Sequence, residues 1–224
     1  MFHAIGLIDM EKRIVKEAQH PGNTPSKPHL CMTITAGSVP HFFSLLSAGF
    51  SVYVKAGCSI NDLLSQEFGI PEAYINDRIQ TIFLNGKAVD DSKSATLQDA
   101  AVLALSAAMP GMVGSTFRKE GVFAGMRSQI SHVTGPSEHY DNQIEVKLKL
   151  FNLIAKELGP AFLQKGVIIE GKRFQDFTLR NSENLKAACI SIHLNDEKTD
   201  VAGLLEMNWE NKQVFLQVTS EKSS

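Results

Sequence analysis

The strongest constraint on the fold is a nine-residue segment with the pattern of a β-hairpin. Thr81-Ile-Phe-Leu84 is an apolar run, Asn85-Gly86 follows it, and Lys87-Ala-Val89 starts back. Asn-Gly is the preferred pair for a type I′ turn, because both central positions of that turn need a positive φ. A further strand is predicted over Val102 to Ala107, so this part of the chain should contain a β-sheet.

Two helices and two strands are predicted ahead of the hairpin. A strand over Leu30 to Ala36 precedes a helix over 39–48, which Ser38 caps and Gly49 ends. A strand over Phe50 to Lys55 precedes a helix over Ile60 to Phe68, which Ser59 caps and Gly69 ends. Residues 29–107 therefore have the order strand, helix, strand, helix, hairpin, strand.

The C-terminal part of the chain predicts a second, smaller α+β unit. Lys147 to Leu158 has a helical pattern behind a short strand, and strands are predicted over 167–169 and Leu185 to Leu194. Val201 to Trp209 and Gln213 to Val218 flank three polar residues, which is typical of a hairpin. No internal repeat is evident.

These patterns predict an α+β chain with four segments. Residues 1–28 form an N-terminal helix and a proline-rich linker, and residues 29–114 form the first domain. Residues 115–142 form a glycine-rich connector, and residues 143–224 form the second domain. The connector also carries Phe117, Val122, Phe123 and Met126, which would seek a partner surface or the second domain.

The first domain resembles the β-grasp (ubiquitin-like) fold, and in particular its sulfur-carrier branch. That branch comprises the small subunit of molybdopterin synthase and the sulfur carrier of thiamine synthesis. The similarity lies in the order of elements and in three segments: Ser59-Ile-Asn-Asp-Leu-Leu64, Ile82-Phe-Leu-Asn-Gly-Lys87 and Leu97-Gln-Asp99. Ala107-Ala-Met-Pro-Gly-Met-Val-Gly114 is similar to the carrier tail. The resemblance implies a β-grasp domain over about 30–114.

The resemblance has a consequence for activity. Sulfur carriers act through a free C-terminal Gly-Gly carboxylate, which is adenylated and converted to a thiocarboxylate. Here the chain continues beyond Gly114 and ends in Lys-Ser-Ser. Carrier activity would therefore require processing at Gly114.

The connector and the residues just before it form the candidate ligand site. Backbone N–H groups of a glycine-rich loop can hold an anion together with hydroxyl and cationic side chains. The candidate residues are Gly111, Gly114, Ser115, Thr116, Arg118, Lys119 and Arg127. The alternative is a simple crossover between domains with ordinary surface charges.

Catalytic, metal and cofactor signatures are not found. The chain has no GxSxG, HExxH or GxxxxGK[ST] pattern, so no catalytic residue and no cofactor are assigned. His29 and Cys31 lie on one face of a predicted strand and could bind a soft metal, but Cys31 also fits a small core residue, and no metal site is assigned. Cys58 precedes a helix N-terminus, where a thiolate could be stabilised.

Charge and cysteine usage restrict the partners. The net charge is −2 and there is no basic stripe, which argues against nucleic acid. Three widely spaced cysteines and no apolar run of membrane length favour a cytoplasmic protein. The preferred hypothesis is a non-enzymatic binding or assembly module with a protein partner or self-association. The alternatives are a processed sulfur carrier and an enzyme or small-molecule binder acting at the connector.

Overall fold

The structure is a computed structural model that describes residues 27–108, Phe117 and residues 143–221. The described strands are β1 (His29–Ile34), β2 (Phe50–Lys55), β3 (Thr81–Leu84), β4 (Lys87–Ala88), β5 (Val102–Ser106), β6 (Gln143–Phe151), β7 (Val167–Glu170), β8 (Cys189–Leu194), β9 (Glu197–Thr199) and β10 (Gln213–Ser220). The α-helices are α1 (Phe43–Ala48), α2 (Ile60–Asp62), α3 (Glu72–Asp77), α4 (Asn152–Lys165), α5 (Gly171–Arg180), α6 (Ser182–Ala188) and α7 (Val201–Glu206). A 3₁₀ turn (Val39–Phe42) precedes α1, and a π-helical turn (Leu63–Glu67) extends α2. The α+β class is confirmed.

The described strands form one mixed sheet of ten strands. Their order is β4-β3-β5-β6-β2-β7-β10-β1-β8-β9. The first five strands of this order are called the first half, and the last five the second half. In each half the central pair is parallel (β5 with β6, and β1 with β10), and the outer neighbours on both sides are antiparallel. The two halves therefore share one strand arrangement, which the sequence did not reveal as a repeat.

The halves are also alike in the turns of their outer hairpins. Asn85 has a φ of 52° between β3 and β4, and Asn195 has a φ of 48° between β8 and β9. The Asn85 side chain accepts the N–H of Val102 at 2.8 Å, and the Asn195 side chain accepts the N–H of His29 at 2.9 Å. Each asparagine N–H also donates to the carbonyl of that same strand residue, at 2.8 Å in both halves. The first residue of β5 and the first residue of β1 thus occupy equivalent positions.

Each half of the sheet contains one strand from the segment on the other side of the connector. β1 belongs to the predicted 29–114 segment and lies between β10 and β8 of the second half. β6 belongs to the predicted 143–224 segment and lies between β5 and β2 of the first half. Both strands are central, and Leu30, Leu148 and Leu150 are fully buried. The two segments on either side of the connector are therefore interlocked.

The helices cover one face of the sheet. Alternate residues of the strands are buried against them, including Met32, Val146 and Leu216. Helices α1 and α4 contact each other closely: a Cβ on Gly159 would lie 2.7 Å from the Leu46 side chain. The residues between the buried ones face away from the helices, and this surface is called the open face. Apart from buried positions such as Ser51 and Ser106, its described members are partly or fully exposed.

Three predictions for the second unit are wrong in detail. The strand β6 runs to Phe151, because Val146, Leu148 and Leu150 alternate with lysines, so the predicted helix over Lys147 to Leu158 begins only at Asn152. The predicted strand Leu185 to Leu194 begins only at Cys189, because its first part completes α6.

The third wrong prediction is the hairpin over Val201 to Trp209 and Gln213 to Val218. Its first arm is the helix α7, because the Asp200 side chain accepts the N–H of Gly203 at 2.8 Å and caps the helix. Only its second arm, β10, is a strand.

Candidate functional site

The predicted anion site cannot be placed. Its residues (Gly111, Gly114, Ser115, Thr116, Arg118, Lys119 and Arg127) lie outside the described residues, as do Val122, Phe123 and Met126. Phe117 is described, and its ring centroid lies 5.2 Å from that of Phe83 on the open face of β3. This apolar residue therefore contacts the first half of the sheet.

The histidine and cysteine candidates do not form a metal centre. The Nε2 atom of His29 lies 3.7 Å from Sγ of Cys31, and His193 is the cross-strand partner of Cys31. Within 27–108, at Phe117 and within 143–221, no group of three or more His, Cys, Asp or Glu residues is placed to hold a metal ion. The His29 ring instead packs against Phe215, with 4.9 Å between ring centroids.

The thiols lack the environment of a nucleophile. Burial raises the pKa of Cys58 to about 11, and nearby Glu67 and Asp62 add to this shift. Burial also raises the pKa of Cys189 to about 11. A reactive cysteine needs a lowered pKa, so the predicted stabilisation of a Cys58 thiolate is not found.

A cleft lies where the two halves of the sheet meet. β2 and β7 pair there through a single residue pair, Ser51 with Ile168. The cavity has a volume of about 240 Å³. It is called the junction cleft, and its lining residues are Gly49, Ser51, Glu145, Lys147, Ile168, Glu170, Arg173 and Gln213.

Side chains of the two halves meet across this cleft. The side chain of Gln213 in β10 donates to a carboxylate oxygen of Glu145 in β6 at 3.2 Å. In a flat sheet, three strand spacings of about 4.8 Å would separate β6 from β10 by roughly 14 Å. Lys27, which lies beside β10, also donates to the Tyr53 hydroxyl of β2 at 2.5 Å. The two halves are therefore joined by side-chain hydrogen bonds across the open face.

Gly49 and Arg173 fix the backbone at one end of the cleft. Gly49 ends α1 with a φ of 113°, a value that favours glycine, and a Cβ there would lie 3.1 Å from Lys147. The Arg173 guanidinium donates to the carbonyls of Ala48 and Gly49 at 3.0 and 2.9 Å. Arg173 also lies 3.5 Å from Glu170. This arginine therefore ties the N-terminal turn of α5 to the start of β2.

The charges in the cleft are balanced between the halves. Glu145 and Lys147 come from the first half, and Glu170 and Arg173 come from the second half and the helix behind it. Ser51 is only 7 % exposed, and its hydroxyl has no hydrogen-bond partner among the described residues. Lys147 likewise has no ion-pair partner within the described part of the chain. The cleft thus presents unused donors beside two carboxylates.

A wider groove lies on the helical side of the molecule. It has a volume of about 510 Å³ and lies between α5 and the end of α7. Its lining residues are Lys172, Gln175, Leu205, Glu206, Met207, Asn208 and Glu210. The groove is more open than the junction cleft and contains no buried polar side chain, so the junction cleft is the better candidate site.

A third polar cluster has a structural role. Glu157 of α4 accepts hydrogen bonds from the Tyr74 hydroxyl at 2.7 Å and from Arg78. The hydrogen bond from Arg78 is the main cause of a lowered pKa of Glu157. Burial, followed by the bond to Glu157, raises the pKa of Tyr74. The cluster joins α3 to α4.

Sequence reasoning did not find the junction cleft, because its residues come from four strands and one helix far apart in the chain. Comparison with family models, with curated proteins and with solved structures finds no match. None of the helices in the described ranges is both long enough and apolar enough to cross a membrane. The candidate site therefore stands on its own geometry.

Proposed function

We propose that this protein is a non-enzymatic binding or assembly module that docks a protein partner on the open face of its sheet. The observation that carries this proposal is that one accessible surface runs across both halves of the sheet. Strands of both halves present partly or fully exposed residues on it, and side chains of the two halves meet at the junction cleft. Tyr53 stands beside the cleft with 43 % of its surface exposed, and tyrosine is enriched at protein interfaces.

The strand arrangement supports a β-grasp assignment for each half. A mixed five-stranded sheet with a parallel central pair and antiparallel neighbours is the arrangement expected of that fold. The order strand, helix, hairpin also recurs in both halves, from β2 to β4 and from β7 to β9. On this proposal the chain holds two β-grasp units that have fused into one sheet. Folds of this kind host many functions, so the binding role depends on the surface.

The sheet edges favour docking on the face over strand addition. The outermost strands are β4, with two residues, and β9, with three. Short edge strands are a common device against edge-to-edge pairing. A partner that added a strand would have little backbone to pair with at either end. The open face offers the larger surface.

The described chemistry favours binding over catalysis. The three thiols all have a raised pKa. Nucleophilic catalysis needs a nucleophile, a base and an orienting group in contact. Among the residues that the structure describes, the junction cleft holds no histidine or cysteine.

Native mass spectrometry of the protein purified from its host tests the proposal. Thr33→Arg places a long cation on the open face between Ser191 and Thr219. Ala187→Arg places the same charge on the exposed surface of α6. The wild type and Ala187→Arg should carry the same bound protein or second copy, and Thr33→Arg should lose it. A complex that survives Thr33→Arg and fails in Ala187→Arg would place docking on the helices and overturn the proposal.

A further inference from the structure

We propose that the junction cleft binds a small zwitterion of the α-amino-acid class. The inference rests on the proposed binding function, because the cleft opens on the same face as the docking surface. It adds a ligand class that the docking proposal does not require. The charges, the Ser51 hydroxyl and the volume of the cleft together point to this ligand class.

The charge pattern selects a ligand that carries both signs. Each side of the cleft supplies one carboxylate and one cation: Glu145 and Lys147 on one side, and Glu170 and Arg173 on the other. A simple anion would meet two carboxylates, and a simple cation would meet Lys147 and Arg173. Like charges held close in a partly desolvated site repel. A zwitterion can place each of its groups beside the opposite charge.

The unused donors identify where the ligand carboxylate binds. Arg173 is occupied by two backbone carbonyls and Glu170, so it shapes the cleft and positions Glu170. Lys147 and the hydroxyl of Ser51 have no side-chain partner among the described residues, and the two are cross-strand neighbours. Hydrogen bonds from charged donors to a carboxylate are among the stronger ones. Lys147 and Ser51 therefore form the carboxylate end of the site.

Ser51 adds a neutral donor to the carboxylate end of the site. Ser51 is more than nine-tenths buried and lines the cleft. Its hydroxyl is not among the fully buried polar atoms without a partner in the described residues, which are Oδ1 of Asn61 and Oγ1 of Thr81, so it is open to the cleft and free to donate there. A ligand carboxylate at this point satisfies the Ser51 hydroxyl and the Lys147 ammonium together. The ligand ammonium then lies toward Glu145 and Glu170.

The volume limits the size of the ligand. The cleft encloses about 240 Å³, below the roughly 300–1,000 Å³ of typical drug-sized pockets. At about 30 Å³ per water, it holds around eight water-sized groups. Ile168 is the only apolar side chain in the described lining, so the ligand side chain is small or polar. These limits fit an amino acid such as alanine, serine or glutamine.

Isothermal titration of the full-length protein with glycine, L-alanine, L-serine and L-glutamine tests the inference. At least one of these should bind saturably, and acetate and ethylammonium at the same concentrations should not, because each lacks one of the two charges. Lys147→Gln should weaken binding about tenfold or more, since it removes a charged hydrogen bond. Ser51→Ala should weaken it less.

Lys149→Gln is the matched control, because Lys149 faces the same side of β6 but does not line the cleft. It should leave binding unchanged. The inference would be overturned if none of the four amino acids binds, or if acetate binds as tightly as they do. It would also be overturned if Lys147→Gln and Lys149→Gln weaken binding equally. If the amino acids fail while a protein complex still depends on Thr33, the docking function stands and only the ligand class is lost. If both fail, the proposed function falls as well.

Discussion

The side chain of Gln213 reaches the carboxylate of Glu145 across two intervening strands. The atoms lie 3.2 Å apart, and β2 and β7 separate β10 from β6 in the sheet. This contact joins the two halves of the sheet across the junction cleft. It links the strand arrangement to the proposed binding surface, and it can be tested directly.

A double-mutant cycle on these two residues should detect their coupling. Gln213→Ala and Glu145→Ala each remove one partner of a partly buried hydrogen bond to a charged acceptor. Urea denaturation should give a coupling free energy of roughly 0.5–1.5 kcal/mol between the two changes. Gln213→Ala combined with Lys149→Ala is the control pair and should be additive. Additive effects in both pairs would mean that the halves are not folded together as described.

The two hairpin asparagines should be equivalent in energy. Asn85→Ala and Asn195→Ala each remove an acceptor for a strand N–H and place alanine at a positive φ. Each should lower the free energy of unfolding by about 1–2 kcal/mol in urea. Asp at either position keeps the acceptor and tolerates this conformation, so Asn→Asp should restore most of the loss. A large cost at one turn and none at the other would argue against the likeness of the halves.

Cleavage within the connector should not separate the chain into two free parts. β1 lies in the second half and β6 in the first, so the fragments on either side of a cut hold each other through buried central strands. A protease site inserted between Gly135 and Pro136 should give a nicked protein that elutes as one species in gel filtration. The two fragments should separate only in denaturant.

The same experiment bears on the sulfur-carrier alternative. Release of a carrier ending at Gly114 would require β1 to leave the second half and β6 to leave the first. If the nicked protein dissociates spontaneously into two folded fragments, the interlocked arrangement is contradicted and the carrier alternative gains support. If the fragments stay together, cleavage after Gly114 would free the carrier tail while the C-terminal fragment remains bound.

Stability should depend on the ionisation of Glu157 at acid pH. Hydrogen bonds from Arg78 and Tyr74 lower the pKa of this carboxyl in the folded protein. Its contribution is therefore complete above the pKa of the unfolded chain and is lost as the pH falls through the lower folded value. Glu157→Gln should be less stable than the wild type at pH 7, by a modest amount because solvent reaches the partly exposed pair and screens it.

Thermal unfolding at several pH values checks this expectation. The difference between wild type and Glu157→Gln should shrink below about pH 4.5 and disappear once the carboxyl is protonated in both states. Glu183→Gln, which removes an exposed pair with Lys186, is the control. A difference for Glu157→Gln that stays constant from pH 7 to pH 2 would mean that its ionised form has no special role.

Local patterns in the sequence predicted individual elements well where caps and turns are explicit. Asn85-Gly86 predicted the first hairpin. Ser59 predicted the start of α2, and the Ser59 side chain accepts the N–H of Asp62. Asp200 marks the start of α7 in the same way, because its side chain accepts the N–H of Gly203. Leu150 fits both the period-two pattern of β6 and the helical spacing of Leu153 and Ile154, so the boundary between strand and helix was predicted too early.

The strand order and the site could not be predicted from local pattern. The sequences of β1 and β6 do not indicate which half of the sheet each strand joins, because both are apolar strands with similar alternation. Pairing depends on long-range contacts, such as that of Ser51 with Ile168. The junction cleft depends on that pairing, so its lining residues can be recognised only from the folded structure.

Photo-crosslinking from two exposed apolar positions tests the docking proposal most directly. Tyr53, on the open face, and Leu179, on α5, have 43 % and 64 % of their surfaces exposed. A photoreactive phenylalanine is introduced at each position in turn, and the protein is irradiated in cells of its host. A discrete crosslinked partner or second copy should form from position 53 and not from position 179. The same adduct from position 179 alone, or from neither position while native spectra still show a complex, would contradict docking on the open face.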